Sequence, residues 1–426
     1  MGHILNSDRE YRLLQQRLDR NLTGAPYSPT FTQILEILFT PEEAKFVRDL
    51  PSRPMALEDL SRKLNVPQNA LADRLGGMAQ RGLILDFEAK GKRFFALPPL
   101  VIGLFEYTFM RTGEDFPIAE AARLFDQYMT ENDRFFRSVY QGKTQLGRAL
   151  VREESLPEGD HVEVLDWERA SYLVESAFVA AVSTCPCRHK ASHLDKACDR
   201  PQRTCLTLNG GALPLIKNGL AEQITNAEAM QILQQCKEAG LAQTGDNVKK
   251  NVTYICNCCG CCCAVIEAVK LFDFKHAIVS SNWIMEVDLS KCKGCGKCAK
   301  ACPLGAIEIR EEGEGKAKRM WAVVNQELCI GCGVCYTFCK HGGATMKPRP
   351  QRVFTPENTF DRIVTMAMER GKLSNVLFEN PEKLSHRALG RVLGILEKTP
   401  PYKAAMAVEP LRSSFLDRMI KISKGK

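Results

Sequence analysis

Lys291-Cys292-Lys-Gly294-Cys295-Gly296-Lys-Cys298-Ala-Lys-Ala-Cys302-Pro303 is the stretch on which the fold turns, and Cys329-Ile-Gly331-Cys332-Gly333-Val-Cys335-Tyr-Thr-Phe-Cys339 repeats its spacing. Both runs read Cys-x2-Cys-x2-Cys-x3-Cys. Iron prefers thiolate, and a cubane cluster takes one thiolate per iron, so eight cysteines in this order serve two [4Fe-4S] clusters. Two intervening residues let a tight loop wrap three thiolates around one cube. The glycines at 294, 296, 331 and 333 allow that loop backbone and let amides approach the sulfurs. Zinc is the competing metal for an isolated set of four thiolates, but eight in this order point to iron.

The pattern resembles the bacterial-type two-cluster ferredoxins. That resemblance implies crossed ligation, because the x3 spacing sends each fourth cysteine to the other cluster. Cys292, Cys295, Cys298 and Cys339 then hold one cluster, and Cys329, Cys332, Cys335 and Cys302 the other. The second run departs from the family: it ends Cys339-Lys340-His341, where a proline usually follows the cysteine. Lys340 either sets a cation near a cluster or faces water. The polar insert Glu311 to Lys318 reads as a hairpin tip. Gly294-x-Gly296-x-x-Ala299 formally matches a dinucleotide fingerprint, but it lies inside a cluster loop without the strand and long helix that motif needs. No Walker A sequence occurs either, so no NAD, FAD or ATP site is expected.

Outward from this module, the other cysteines lie upstream. All 19 cysteines fall between Cys185 and Cys339. The chain starts without an export signal, so clustered thiols in a reducing cytoplasm mean metal, not disulfides. Cys185-Pro-Cys187-Arg-His189, Cys198 and Cys205 supply four thiolates, enough for a cubane or a closed zinc site. Iron–sulfur is expected here because the neighbouring module is devoted to it. The run Cys256-Asn-Cys258-Cys259-Gly-Cys261-Cys262-Cys263 offers six more, which is too many for one cubane. Either it makes a second central cluster, or it shares ligands with the first set around an unusual iron site. One or two further iron–sulfur clusters are therefore expected. His189 and His193 are candidate nitrogen ligands or ordinary surface histidines. Cys236 shares a helix face with Ala229, Ile232 and Leu233 and reads as core.

The fold class expected is α+β and multidomain. Residues 1–154 contain no cysteine and read as helical, with Thr40 and Glu43 forming a capping box ahead of a helix at Pro41. Further helices follow over Leu57 to Leu64 and from Val66 to Gly82, the latter with Ala70, Leu71, Leu75 and Met78 on one face. A hairpin then turns at Ala89 to Lys92. This order resembles a winged helix-turn-helix. A cysteine-rich mixed domain (155–283), the ferredoxin module (284–347) and a basic helical tail (348–426) complete the chain. The formal net charge of +8 resides at the C-terminal end: His341 to Lys426 carries 16 Lys and Arg against 8 Asp and Glu, and the remainder 42 of each. Arg349, Arg352, Arg387 and Arg391 are its candidate contacts for an acidic partner. No apolar run is long enough to span a membrane, and a cytoplasmic protein is expected.

Taken whole, the chain is similar to multi-cluster iron–sulfur proteins of anaerobic bacteria that join a winged-helix-like N-terminus to a cysteine-rich middle and a two-cluster ferredoxin. The resemblance implies an electron-transfer component that works with a redox partner, a flavoprotein or another ferredoxin. Two alternatives stand beside it. One is a redox-sensing winged-helix DNA-binding regulator; the other is an oxidoreductase with an active-site cluster in the middle domain. DNA binding is weakly equipped, since residues 40–100 carry 10 basic and 8 acidic side chains. The presumed recognition helix offers Gln68, Asn69, Arg74, Gln80 and Arg81, with Asp73 among them.

Overall fold

The computed structural model describes residues 6–113, 116–156, 165–313, 319–378, 384–397 and 399–402. Two compact units form: Met1–Phe105 with Leu124–Thr144 and Phe360–Lys426, and Glu106–Arg123 with Gln145–Thr359.

In the first unit, Asn6, Ser28 and Thr40 accept first-turn amides and so start the helices Ser7–Asp19, Pro29–Leu38 and Pro41–Val47. The expected capping box is complete: the Glu43 amide donates to the Thr40 hydroxyl at 3.2 Å, and the Thr40 amide to the Glu43 carboxylate at 3.0 Å. Such a cap contributes about 1 kcal/mol. Helices Leu57–Leu64 and Gln68–Gln80 follow. The second buries Leu71, Leu75, Met78 and Ala79, whereas Ala70 is exposed. The i, i+4, i+7, i+8 stripe thus starts one residue later than expected. Strands β1 (Met55–Ala56), β2 (Leu85–Ala89) and β3 (Lys92–Ala96) form an antiparallel sheet in the order β1-β3-β2. Lys90 and Gly91 both have positive φ (51° and 71°), which is what a two-residue hairpin loop requires.

The C-terminal helices Thr359–Glu369, Leu373–Leu377 and Leu384–Leu396 do not stand apart as a tail. Lys372 Nζ donates to the carbonyls of Asp19 and Asn21 at 3.0 and 2.6 Å, and Arg370 Nη1 to that of Leu22 at 2.9 Å. Leu373, Leu377 and Leu393 pack in one core with Leu22. Met366 is fully buried and Met368 packs against this core, as expected for side chains that fill space.

The second unit is built on a six-stranded antiparallel sheet. Its strands are β4 (Gly147–Ala149), β5 (Ala180–Thr184), β6 (Arg203–Leu208), β7 (Glu222–Ile224), β8 (Ala242–Asp246) and β9 (Tyr254–Cys258), ordered β4-β8-β9-β6-β5-β7. Because β4 pairs with β8, the middle region begins near Gly147, ahead of the boundary expected at 155. A capping box of Thr225 and Glu228 starts the helix Asn226–Glu238, which buries Ala229, Leu233 and Cys236. Cys236 is fully buried, and it packs with Leu241, Ala191, Cys259 and Cys262.

The ferredoxin segment joins the same unit. β10 (Trp283–Val287) pairs with β13 (Ala344–Pro348), and β11 (Ile307–Glu312) with β12 (Arg319–Val324). The Glu312–Arg319 register agrees with a hairpin, whose tip at 314–318 lies outside the described residues. Short helices Lys297–Ala301 and Val334–Thr337 occupy matching places in the two repeats. Among the described residues no helix is long and apolar enough to cross a membrane.

Candidate metal centres

The two cysteine loops of the ferredoxin segment close under neighbouring strands. Gly294 and Gly331 adopt φ of +63° and +69°. A Cβ on Gly331 would come within 2.0 Å of the Trp283 carbonyl, and one on Gly294 within 2.3 Å of Met320 Cβ. Glycine is therefore required by the crossing chain as well as by the turn.

Beneath the loops lie two hollows. Cys292, Cys295, Cys298 and Cys339 line one; Cys302, Cys329, Cys332 and Cys335 line the other. Crossed ligation, as the resemblance implies it, would use these same two sets. Backbone amides of Ala306 and Ala322 donate to Cys302 and Cys292 Sγ at 3.3 and 3.4 Å, which favours charged sulfurs. Burial pushes the Cys298, Cys302 and Cys335 thiols up, and that of Cys332 to about 12. Binding a cation is what makes such buried thiols ionise. Lys340 faces solvent, while His341 lines the first hollow.

The ten clustered cysteines of the middle region sort into two places, and the sorting cuts across both expected sets. Cys198 leaves Cys185, Cys187 and Cys205 and joins Cys259, Cys261 and Cys262, with all four Sγ atoms within 4.8 Å of one another. The remaining six gather where β5, β6 and β9 end. The Leu206–Ile255 register sets Cys205 across from Cys256, and Cys258 follows two residues later on the same strand face. Thr184 leads from β5 directly into Cys185 and Cys187, and Cys263 caps the helix Ala264–Phe272. Thiol neighbours run Cys205–Cys256–Cys258–Cys263–Cys187, with Cys185 beside Cys187 and Cys205. Burial pushes Cys185 up. Contacts from Cys205 and Cys258, then burial, do so for Cys256. Hydrogen bonds from Cys256 and Cys263 bring Cys258 down to about 6. The two candidate histidines pair with each other, their Nε2 atoms 3.2 Å apart, and His189 Nδ1 meets the Phe109 carbonyl at 2.8 Å.

Two buried arginines escaped the sequence reading. Arg188 has no exposed surface; it donates to the Asn257 carbonyl at 3.0 Å and to the Thr204 hydroxyl. Burial alone would pull its guanidinium down, yet Cys185, Cys259 and Cys258 carry it above its ordinary value. Among the described residues no carboxylate pairs with it. An unpaired buried charge costs about 3–5 kcal/mol, and the groups set against this one are the sulfurs of Cys185, Cys259 and Cys258. Its signal in the sequence was its place, directly after Cys185-Pro-Cys187. Arg152, also without exposed surface, joins the middle region to the ferredoxin segment. It donates to Thr337 Oγ1 at 2.6 Å and to the Lys237 and Leu241 carbonyls at 3.0 Å, and its backbone amide reaches the Cys332 carbonyl. Burial lowers its guanidinium, and Cys332, Glu154, Cys335 and Cys236 oppose that. Gly260 completes the junction, since a Cβ there would stand 2.6 Å from the Pro303 carbonyl, one residue after Cys302.

The four tail arginines are divided between the two units. Arg349 belongs to the second unit and is half-buried there, donating to the Ser281 and Cys329 carbonyls; Arg352 also lies in that unit. Arg391 is exposed on a helix of the first unit, and the side chain of Arg387 lies outside the described residues.

Two repeated cysteine loops over paired hollows define a dicluster ferredoxin module. The 4Fe-4S dicluster domain family matches residues 291–352. Ferredoxin-3 of Rhodobacter capsulatus is 31% identical over 74 residues, 13% of this chain and 73% of that protein. Through this module the chain belongs to the 4Fe-4S dicluster ferredoxins, and it carries their two [4Fe-4S] clusters. It is also similar to one component of the Na(+)-translocating ferredoxin:NAD(+) oxidoreductase complex of Acetobacterium woodii, with 30% identity over 28% of this chain and 34% of that one. One component of the H(2):CoB-CoM heterodisulfide,ferredoxin reductase of Methanothermobacter marburgensis is 44% identical over 16% of this chain and 12% of its own. The chain thus spans about a third or less of these two larger relatives. No solved structure matches it.

Proposed function

We propose that this chain is an electron-transfer component that passes single electrons between protein partners through its ferredoxin module and a third iron–sulfur centre held by Cys185, Cys187, Cys205, Cys256, Cys258 and Cys263. The observation that carries the third centre is Arg188, a buried cation whose opposing charges are thiols. When bound, iron–sulfur clusters supply one-electron storage. The chain's own residues hold the donor sulfurs, exclude water and balance charge. Arg152 and the close fit of Gly260 on Pro303 keep the middle region seated on the loop of Cys302. The relatives named as parts of oxidoreductases support a role inside a larger redox assembly; a cytoplasmic setting and a flavoprotein or ferredoxin partner complete the reading.

With no nicotinamide or flavin site expected in this chain, the reading gives hydride chemistry to that partner. Purified chain mixed with NADH or NADPH and a viologen dye is expected to show no dye reduction. A cognate flavoprotein should restore it. Stoichiometric flavin in the chain, or direct NADH turnover by it, would sink the reading.

The N-terminal helices and three-stranded sheet are read as a winged helix that docks protein. Support comes from the helix Gln68–Gln80: Arg74 stacks 3.8 Å over the Phe46 ring and Arg81 pairs with Glu43, which takes both cations away from phosphate. Anisotropy with genomic DNA at moderate salt should show no sequence-specific binding in either redox state. Specific binding abolished by Arg74→Ala with Arg81→Ala would establish the regulator instead.

A further inference from the structure

The eight-residue run Cys256 to Cys263 feeds two places, and the smaller is built to a different gauge. We propose that Cys198, Cys259, Cys261 and Cys262 hold a single zinc ion, a redox-silent clasp distinct from every iron–sulfur centre of the chain. The argument is one of size. Zinc–sulfur bonds are about 2.3 Å long, so the edge of a zinc tetrathiolate tetrahedron is about 3.8 Å. Cys262 Sγ lies 3.9 Å from Cys198 Sγ and 3.7 Å from Cys261 Sγ, and the whole group falls within 4.8 Å. A cubane binds each thiolate at a different iron on a different corner, which spreads the sulfurs beyond that edge.

The same chain provides the comparison. Among the described residues, this is the one group of three or more candidate ligand atoms so tightly drawn. The eight ferredoxin cysteines, which do take cubanes, form no such group, and neither do the six cysteines around β6 and β9. The donor set is also closed, four thiolates and no open position, which is the composition of structural zinc sites. Four thiolates around a divalent ion leave a net double negative charge, and the buried Arg188 guanidinium, set against Cys259, offsets part of it.

What the clasp does follows from where its ligands sit. It joins the loop at Cys198 to the loop that follows β9. Cys258 and Cys263 of the six-cysteine place bracket that loop, and Gly260 at its centre rests on Pro303 of the ferredoxin segment. Zinc has no accessible redox change, so these positions stay constant while neighbouring centres change charge.

Metal analysis of the full-length chain, purified without oxygen and with chelator-washed buffers, tests the assignment. One zinc per chain is expected. Cys198→Ser and Cys262→Ser should each lose it while iron and sulfide content stay unchanged. Should these variants fold poorly, zinc K-edge absorption on the unaltered chain gives an independent reading: four sulfurs near 2.3 Å and no iron neighbour. A chain without zinc, or iron lost in Cys198→Ser, or nitrogen or oxygen in the zinc shell, overturns it. Iron lost from the six-cysteine place is read separately in Cys256→Ser, so failure of one assignment is not failure of the other.

Discussion

Replacing Cys256 and Cys258 together by serine is expected to remove the iron of the middle region and leave the ferredoxin iron in place. Both thiols lie on one face of β9, Cys256 across from Cys205, and the register that brings them together is set by backbone pairing that serine does not disturb. Serine keeps the volume but withholds the soft thiolate iron needs. With four irons in each [4Fe-4S] cluster, losing a third centre of that size removes about a third of the total iron. Iron and sulfide analysis reads the loss directly. Low-temperature EPR of the reduced protein should retain the ferredoxin signals, and circular dichroism should confirm the fold. Unchanged iron would mean that the six cysteines hold none. The counter-charge of Arg188 would then come from the place of Cys198, Cys259, Cys261 and Cys262, since Cys259 is also set against it.

The second large effect concerns pairing inside the ferredoxin module. Cys339→Ala should release one of its two clusters, about half of the module's iron. Adding Cys292→Ala should cost nothing more, because both cysteines line the same hollow. Cys292→Ala with Cys302→Ala should instead remove both clusters, since Cys302 belongs to the other hollow. Residues that serve one structure fail non-additively, and those in separate structures add. Pairing within each run would reverse the two outcomes: Cys292 with Cys339 would then lose both clusters, and Cys292 with Cys302 only one. Iron content of the three single and two double variants decides between the schemes.

Much of this molecule is local, and the local part was readable. The ferredoxin ligands follow from spacing, because three cysteines two residues apart can wrap one cube whatever the rest of the chain does. The capping boxes at Thr40 and Thr225 and the hairpin turn at Lys90-Gly91 depend on residues within one turn of each other. Cys236 could be placed in the core from helical period alone. The single-residue error at Ala70 is the ordinary uncertainty of a stripe on a helix with few apolar residues to define it.

The ten middle cysteines show where that reading stops. As a string, Cys256 to Cys263 is one cluster, and Cys185 to Cys205 another. In three dimensions, strand alternation and the chain's reversal after β9 send Cys256, Cys258 and Cys263 one way and Cys259, Cys261 and Cys262 the other. Cys198 and Cys205 part company because Cys205 is held in β6 while Cys198 is in the loop before it. Arg188 and Arg152 look like ordinary surface cations in the string, and only packing takes them out of water. The C-terminal segment carries the net charge, yet its Lys372 and Arg370 are spent on carbonyls of the first helix's end. The sequence by itself therefore determined the dicluster ferredoxin module and the class of chemistry that follows, since residue type and short spacing are properties of a few adjacent residues. Tertiary structure alone decided how the other thiols are shared and which charges stand beside them, because both are set by long-range strand pairing and burial, which no local pattern encodes.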